Sequence, residues 1–281
     1  MKKSIVILLF SLFCSVLQAN NDSSLVEQNK YPAQMELQIK YVDRAPFFFN
    51  QGKDLSGIEQ EILGSFVAWA KLKKGVQLRL KYKSYKDFSS FYEACKSEES
   101  PFIGAGTVTM SQNREEIFDF SGPYLNNISV LVSAGWVPTL KSLDDLSPLS
   151  NFHAYTTANS VHEEYLTQLA NNQTIKIKHI KEQQDLPNYI LADSTVFGYM
   201  DVLNFWDFHK KNPTAYIKIH RSANKRNESF GFISKKGDMV SRLLKEFFDS
   251  GFGFTATKQY RQILEKYLGY EVIEAVEVNE W

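Results

Sequence analysis

From residue 37 onward, apolar positions fall into blocks of alternating period. Leu37, Ile39 and Tyr41 alternate with polar residues, the pattern of a half-buried strand. Ser56-Gly57-Ile58-Glu59 then has capping-box form, with Ser56 at the N-cap and Glu59 at N3. Ile58, Ile62, Leu63, Phe66 and Val67 follow at helical spacing. Val76, Leu78, Leu80 and Tyr82 predict a second strand, Phe88 to Cys95 a second helix, and Phe102 to Val108 a short apolar strand containing glycines. The rhythm restarts with a strand at Phe152 to Thr156 and a second capping box, Ser160-Val161-His162-Glu163. Strands alternating with helices predict mainly parallel sheets covered on both faces.

Between the two blocks, the β-branched run Ile128 to Ser133 predicts a crossing strand. Arg221 to Glu228 reads as polar and turn-like, and a strand pattern resumes at Phe230 to Ile233. A chain that crosses out and returns gives two lobes on two connectors. The expected division is lobe 1 at 34–127 and 229–281 and lobe 2 at 128–228. The end of the chain carries an amphipathic helix with Met239, Leu243, Leu244, Phe247 and Phe248, a break at Gly251 and Gly253, and a final helix through Tyr260, Ile263, Leu264 and Tyr267.

Composition agrees with two modest cores. The chain has 281 residues, 43% of them hydrophobic, and 32 basic side chains balance 32 acidic ones. No basic stripe points to nucleic acid as a partner. At the N-terminus, Lys2 and Lys3 precede an apolar run from Ile5 to Leu17, and Leu17-Gln18-Ala19 leads into a polar stretch. The reading is a cleavable export signal over 1–19 and a flexible segment over 20–33. A membrane anchor is the competing reading, but the run is roughly 13 residues against the ~20 that span a bilayer. Lipidation at Cys14 is a further alternative, although Ser11-Leu12-Phe13 lacks the small residues such a site carries. Cleavage leaves Cys95 as the sole cysteine, which excludes an internal disulfide. Its apolar neighbours Phe91, Tyr92 and Ala94 suit a small buried side chain.

A series of short motifs resembles family 3 of the bacterial extracellular solute-binding proteins. The motifs are Ala45-Pro46-Phe47; Leu55-Ser56-Gly57 entering a helix; Thr107-Val108-Thr109 with Arg114 five residues on; Phe118-Asp119-Phe120-Ser121-Gly122-Pro123-Tyr124; Gly231 to Asp238; and the ending Tyr260 to Gly269. The resemblance implies the two-lobed type II periplasmic-binding-protein fold, each lobe a mainly parallel sheet flanked by helices and joined by two hinge strands. It also implies a monomer in the periplasm that binds an amino acid or similar small carboxylate without a cofactor and hands it to an inner-membrane permease. A ligand-sensing or orphan binding protein is the alternative. An enzyme resembling cyclohexadienyl dehydratase is a third reading.

The resemblance assigns Arg114 to the ligand's α-carboxylate, which suits the planar fork of a guanidinium. Taken alone, Arg114 reads as a surface arginine pairing with Glu115 or Glu116. The resemblance also places Thr107 and Thr109 in the carboxylate cradle, Ser160 at a helix start that grips the same group, and Asp201 on the ligand's ammonium. Ser160 reads equally as an ordinary N-cap, and Asp201 as a cap for the helix that follows it. Four positions depart from the family pattern: Asn159 stands for the usual glycine, Val196 for an aspartate, Phe102 for another aspartate, and Arg44 for an aromatic lid. Arg44 either lies in the cleft, where it would favour acidic or hydrogen-bond-accepting side chains and disfavour lysine- or arginine-like ones, or turns outward to Asp43 or Asp54. There is no G-x-S-x-G, H-E-x-x-H or P-loop, and Gly104-Ala105-Gly106 is only a fragment of a dinucleotide fingerprint. Neither a catalytic residue nor a metal ligand is therefore assigned.

Overall fold

The alternation at Leu37, Ile39 and Tyr41 becomes strand β1 (Gln34–Val42), whose inward side chains are buried in a computed structural model that describes residues 30–172, 175–270 and 272–273. The export signal at 1–19, with Cys14, and the segment up to residue 29 lie outside the described residues. A short hairpin of β2 (Phe49–Gln51) and β3 (Asp54–Ser56) leads into α1 (Ile58–Lys74), and β4 (Gln77–Tyr85) returns parallel to β1. Next come α2 (Phe88–Lys96), β5 (Phe102–Thr109), the single turn α3 (Gln112–Glu115), β6 (Phe118–Phe120) and the long β7 (Leu125–Ala134). The second block runs β8 (His153–Thr157), α4 (Val161–Asn172), β9 (Lys176–Ile180), α5 (Leu186–Ala192), β10 (Val196–Asp201), α6 (Val202–Lys211) and β11 (Ile217–Ile219). Strand β12 (Lys225–Lys235) and helices α7 (Met239–Asp249) and α8 (Lys258–Leu268) complete the chain.

The strands form one path, β4-β1-β5-β12-β7-β10-β8-β9. Within each half the crossover pairs are parallel: β1 with β4 and β5, and β8 with β9 and β10. Among the described residues the sheet passes from one half to the other through β7 and β12, which pair antiparallel with Leu125 opposite Phe230 and Asn127 opposite Glu228. These two strands are the connectors of a two-lobed α/β molecule.

One large core supports both lobes. Phe66 of α1 meets Phe247 of α7 at 5.6 Å between ring centroids, and Phe247 meets Phe254 at 4.5 Å, clamping the C-terminal helices onto the first lobe. A smaller apolar cluster of Phe88, Phe91, Tyr92, Cys95, Phe102 and Phe118 lies beneath α2. The Cys95 thiol is buried there, which pushes its pKa up to about 12, so it stays protonated and unreactive. This cluster also accounts for Gly104-Ala105-Gly106: a Cβ at Gly106 would stand 2.7 Å from the Phe91 ring, so the glycine admits packing rather than a phosphate.

Two local expectations are corrected. The N-cap of α1 is Gly57, at φ 123°, and not Ser56, whose hydroxyl donates to Gln51 Oε1. Backbone carbonyls do the capping: Ile58 N donates to Pro46 O and Glu59 N to Phe47 O. That releases the Glu59 side chain inward. The second correction concerns Arg221 to Glu228, of which only Arg221–Ala223 is turn-like. Strand β12 already begins at Lys225, because Lys225 and Glu228 pair across the connector with Ser129 and Asn127.

Candidate functional site

The six residues singled out in the sequence, Arg44, Thr107, Thr109, Arg114, Ser160 and Asp201, line one cavity between the lobes. Its volume is about 30 Å³, close to one water's share of the liquid, so the two walls are nearly in contact.

Arg114 lies on α3 and is 2% exposed, whereas its neighbours Glu115 and Glu116 face solvent. It therefore turns away from the surface pairing that its sequence neighbours offer. Its guanidinium lies over the Phe88 and Tyr92 rings, at 5.6 and 5.5 Å from their centroids. Nη1 donates to Thr109 O at 3.0 Å and Nη2 to Asn159 O at 2.9 Å, while Nε is buried without a hydrogen-bond partner. Among the described residues no carboxylate forms an ion pair with it. Burial alone pushes its pKa down, partly offset by Tyr92 and Glu164. A buried guanidinium held by two carbonyls is a costly arrangement that an incoming carboxylate would relieve.

Thr107 adopts φ +50°, a left-handed conformation that is unusual for a β-branched residue. Buried Glu59 holds it there: Thr107 N donates to Glu59 Oε1 at 2.9 Å, and the Tyr124 hydroxyl donates to the same oxygen. Burial raises the Glu59 pKa, against the pull of these donors. Thr107 Oγ1 in turn donates to Gly106 O and accepts from Arg44 Nη2 at 3.1 Å. Arg44 thus points into the cleft, and its alternative partner Asp43 instead accepts from the Asn50 amide and side chain.

Asn159, at φ +63°, takes the left-handed turn that the missing glycine would have made. Ser160 Oγ accepts from Glu163 N at 3.1 Å and donates to Thr157 O, so it caps α4. The amides of Val161 and His162 at this helix start have no intrahelical acceptor, and both residues line the cavity. Asp201 ends β10. Its Oδ1 accepts from Asn127 Nδ2 at 2.8 Å and stands 3.4 Å from His162 Nε2, while Oδ2 accepts from Asn204 at 3.3 Å. No side-chain capping bond joins it to α6. Burial pushes the Asp201 carboxyl up, but His162, Arg44 and Asn127 together hold it below its ordinary value.

Behind the site, Asn127 and Ser129 of β7 both donate to Glu228 of β12, as does the Tyr165 hydroxyl from α4. Ser129 also bonds His162 Nε2 at 3.0 Å. The connectors and the Asp201 wall therefore share one buried polar network.

Sequence reasoning missed Glu59, His162, Glu182, Gln183 and Glu228. Glu59 and His162 stand in the sequence only as members of the two capping boxes. Glu182 and Gln183 sit in the polar run Glu182-Gln183-Gln184-Asp185, which has no period to mark it. Gln183 holds the Thr157 amide at 2.8 Å and also bonds the Tyr199 carbonyl, whereas Glu182 faces the cavity.

No protein-family model and no curated protein sequence matches the chain. Solved structures do. The arginine-, lysine-, histidine-binding protein ArtJ of Geobacillus stearothermophilus superposes with a TM-score of 0.65 at 18% identity, over 84% of this chain and 96% of that one. The GluR0 ligand-binding core of Nostoc punctiforme, in complex with L-glutamate, gives 0.64 at 16% identity over 83% and 100%. An ancestral arginine-binding protein bound to arginine gives 0.62 at 20% identity over 85% and 99%. The fold is the two-lobed type II binding-protein fold. AncCDT-1, an ancestral amino-acid-binding protein described as a precursor of cyclohexadienyl dehydratase, shares it with a TM-score of 0.59 at 16% identity. Among the described residues of this type II fold, no helix is long and apolar enough to cross a membrane.

Proposed function

We propose that the protein is a periplasmic solute-binding protein that traps an amino acid or a closely related small carboxylate between its lobes and passes it, as a monomer, to an inner-membrane permease. The observation that carries this reading is Arg114, a fully buried guanidinium in the interlobe cavity with no carboxylate partner among the described residues. We place the lobe boundary beside the facing connector residues Asn127 and Glu228, as proposed lobes of 34–127 with 229–281 and of 128–228.

In this mechanism the ligand's carboxylate lands on Arg114, with Thr107 and Thr109 forming the wall beside it. Closure then brings the α4 helix start at Ser160 onto the same group, where unpaired amides and the helix dipole favour an anion. Asp201 takes the ammonium. Binding to both walls supplies the differential affinity that closure requires. The ligands of the similar structures, amino acids in each case that names one, agree with this chemistry.

A thermal-shift screen of the mature protein against the common amino acids, their keto acids and small peptides tests the reading. At least one amino acid should raise the melting temperature, since ligand at 100 times its Kd adds about 2.7 kcal/mol of stability. A flat response to every amino acid would contradict it.

A further inference from the structure

Arg44 follows β1 in one lobe and Glu182 follows β9 in the other, and both line the cavity that holds Arg114. Each has unused capacity. Arg44 gives Nη2 to Thr107 Oγ1, but its Nε is buried without a hydrogen-bond partner, and so is Glu182 Oε1. The two form no ion pair with each other, and Asp43, the nearest acidic neighbour in sequence, is occupied by Asn50. Burial raises the Glu182 pKa to about 6, with Arg44 pulling it back.

The cleft therefore presents a donor on one wall and an acceptor on the other. A carboxylate side chain offers only acceptors and would set its charge against Glu182. An ammonium or guanidinium offers only donors and would face Arg44. A primary amide or a urea carries a carbonyl and N–H groups in one planar unit and satisfies both walls. We infer that this end of the cleft selects an amino acid with a neutral carboxamide or ureido side chain, its carbonyl on Arg44 and its N–H on Glu182. This inference rests on the amino-acid-trap reading and adds the class of side chain, and it narrows the preference for acidic or hydrogen-bond-accepting ligands that Arg44 alone suggests. Arg44 also lines a separate outer groove of about 480 Å³ with Asp185, Trp206 and Asp207.

Titration calorimetry with L-glutamine, L-citrulline, L-glutamate, L-lysine and L-leucine, on the wild type and on Glu182→Gln, provides the test. The wild type should bind glutamine or citrulline at least about tenfold tighter than the other three, a difference of ~1.4 kcal/mol. Glu182→Gln should move the glutamine-to-glutamate ratio toward glutamate by a similar factor, because the repelling carboxylate is gone. Preference of the wild type for glutamate, lysine or leucine overturns the inference while leaving the trap intact, as does an unchanged ratio in Glu182→Gln. Absence of binding to any amino acid overturns the trap reading and the inference together.

Discussion

Thr107 is held in a conformation that costs energy, and its support comes from Glu59, a residue outside the Thr107-Val108-Thr109 motif. A β-branched residue at φ +50° costs on the order of 1–3 kcal/mol, and Glu59 offsets it by accepting from the Thr107 amide and the Tyr124 hydroxyl. Glu59→Ala leaves two buried donors without an acceptor, each worth about 1–3 kcal/mol. Urea denaturation of that variant should show a loss of at least about 2 kcal/mol, and ligand affinity should fall with it as the Thr107 turn relaxes. Wild-type stability would mean that Thr107 needs no such support. The sequence could not reveal this role, because Ser56-x-x-Glu59 is written identically whether the glutamate caps its own helix or turns inward. What decides between them is the pair of carbonyls from Pro46 and Phe47, a backbone feature with no residue-type signature. Arg114 stood out only through the resemblance of the motif around it, since its immediate neighbours Glu115 and Glu116 suggest a surface pair instead.

At the scale of elements, the connector strand β7 is tied into the second lobe by His220, which lies just beyond β11. Its Nδ1 accepts from Leu140 N at 3.2 Å, which places the proton on Nε2, facing Ser133 Oγ at 2.8 Å. This neutral tautomer is fully buried, and burial together with Lys218 lowers its pKa to about 4. A histidine with a depressed native pKa contributes stability that is complete above its unfolded value of ~6.5 and is lost as pH falls toward the native value. Stability should therefore drop between pH 6.5 and about 4, by on the order of 2 kcal/mol after allowing for screening. His220→Gln keeps an acceptor and a donor but does not titrate. Denaturation midpoints across that range should be flatter in the variant, and identical slopes would remove His220 from the account. Strands β1 and β4 were readable from their alternation and β5, β7 and β8 from apolar or β-branched runs, whereas β2, β3, β6, β9, β10, β11 and the start of β12 were not read from the sequence pattern. There Lys225 to Glu228 looks like a loop because its buried member, Glu228, is polar and is satisfied by Asn127, Ser129 and Tyr165 on other elements.

At the scale of the whole molecule, the lobes are drawn together across the cleft by Arg114 to Asn159, by Asn159 Nδ2 to Ser89 Oγ at 3.0 Å, and by Asn113 to Glu164 at 3.3 Å. In the proposed trap a ligand enters when the lobes part and exchanges the Asn159 carbonyl for its own carboxylate on the Arg114 fork. The two-lobed order was legible because each block repeats the strand-helix rhythm. The second wall of the side-chain subsite was not, because Glu182 reaches the cleft through the packing of lobe on lobe. Arg114 is the centre of the account, and titration calorimetry of the best amino-acid ligand against wild type, Arg114→Ala and Arg114→Lys tests it most directly. Hydrogen bonds to charged groups are worth about 1.5–3 kcal/mol each, so Arg114→Ala should weaken binding by at least about a hundredfold, and Arg114→Lys should recover only part of the loss. Wild-type affinity in Arg114→Ala would contradict the claim that this guanidinium holds the ligand.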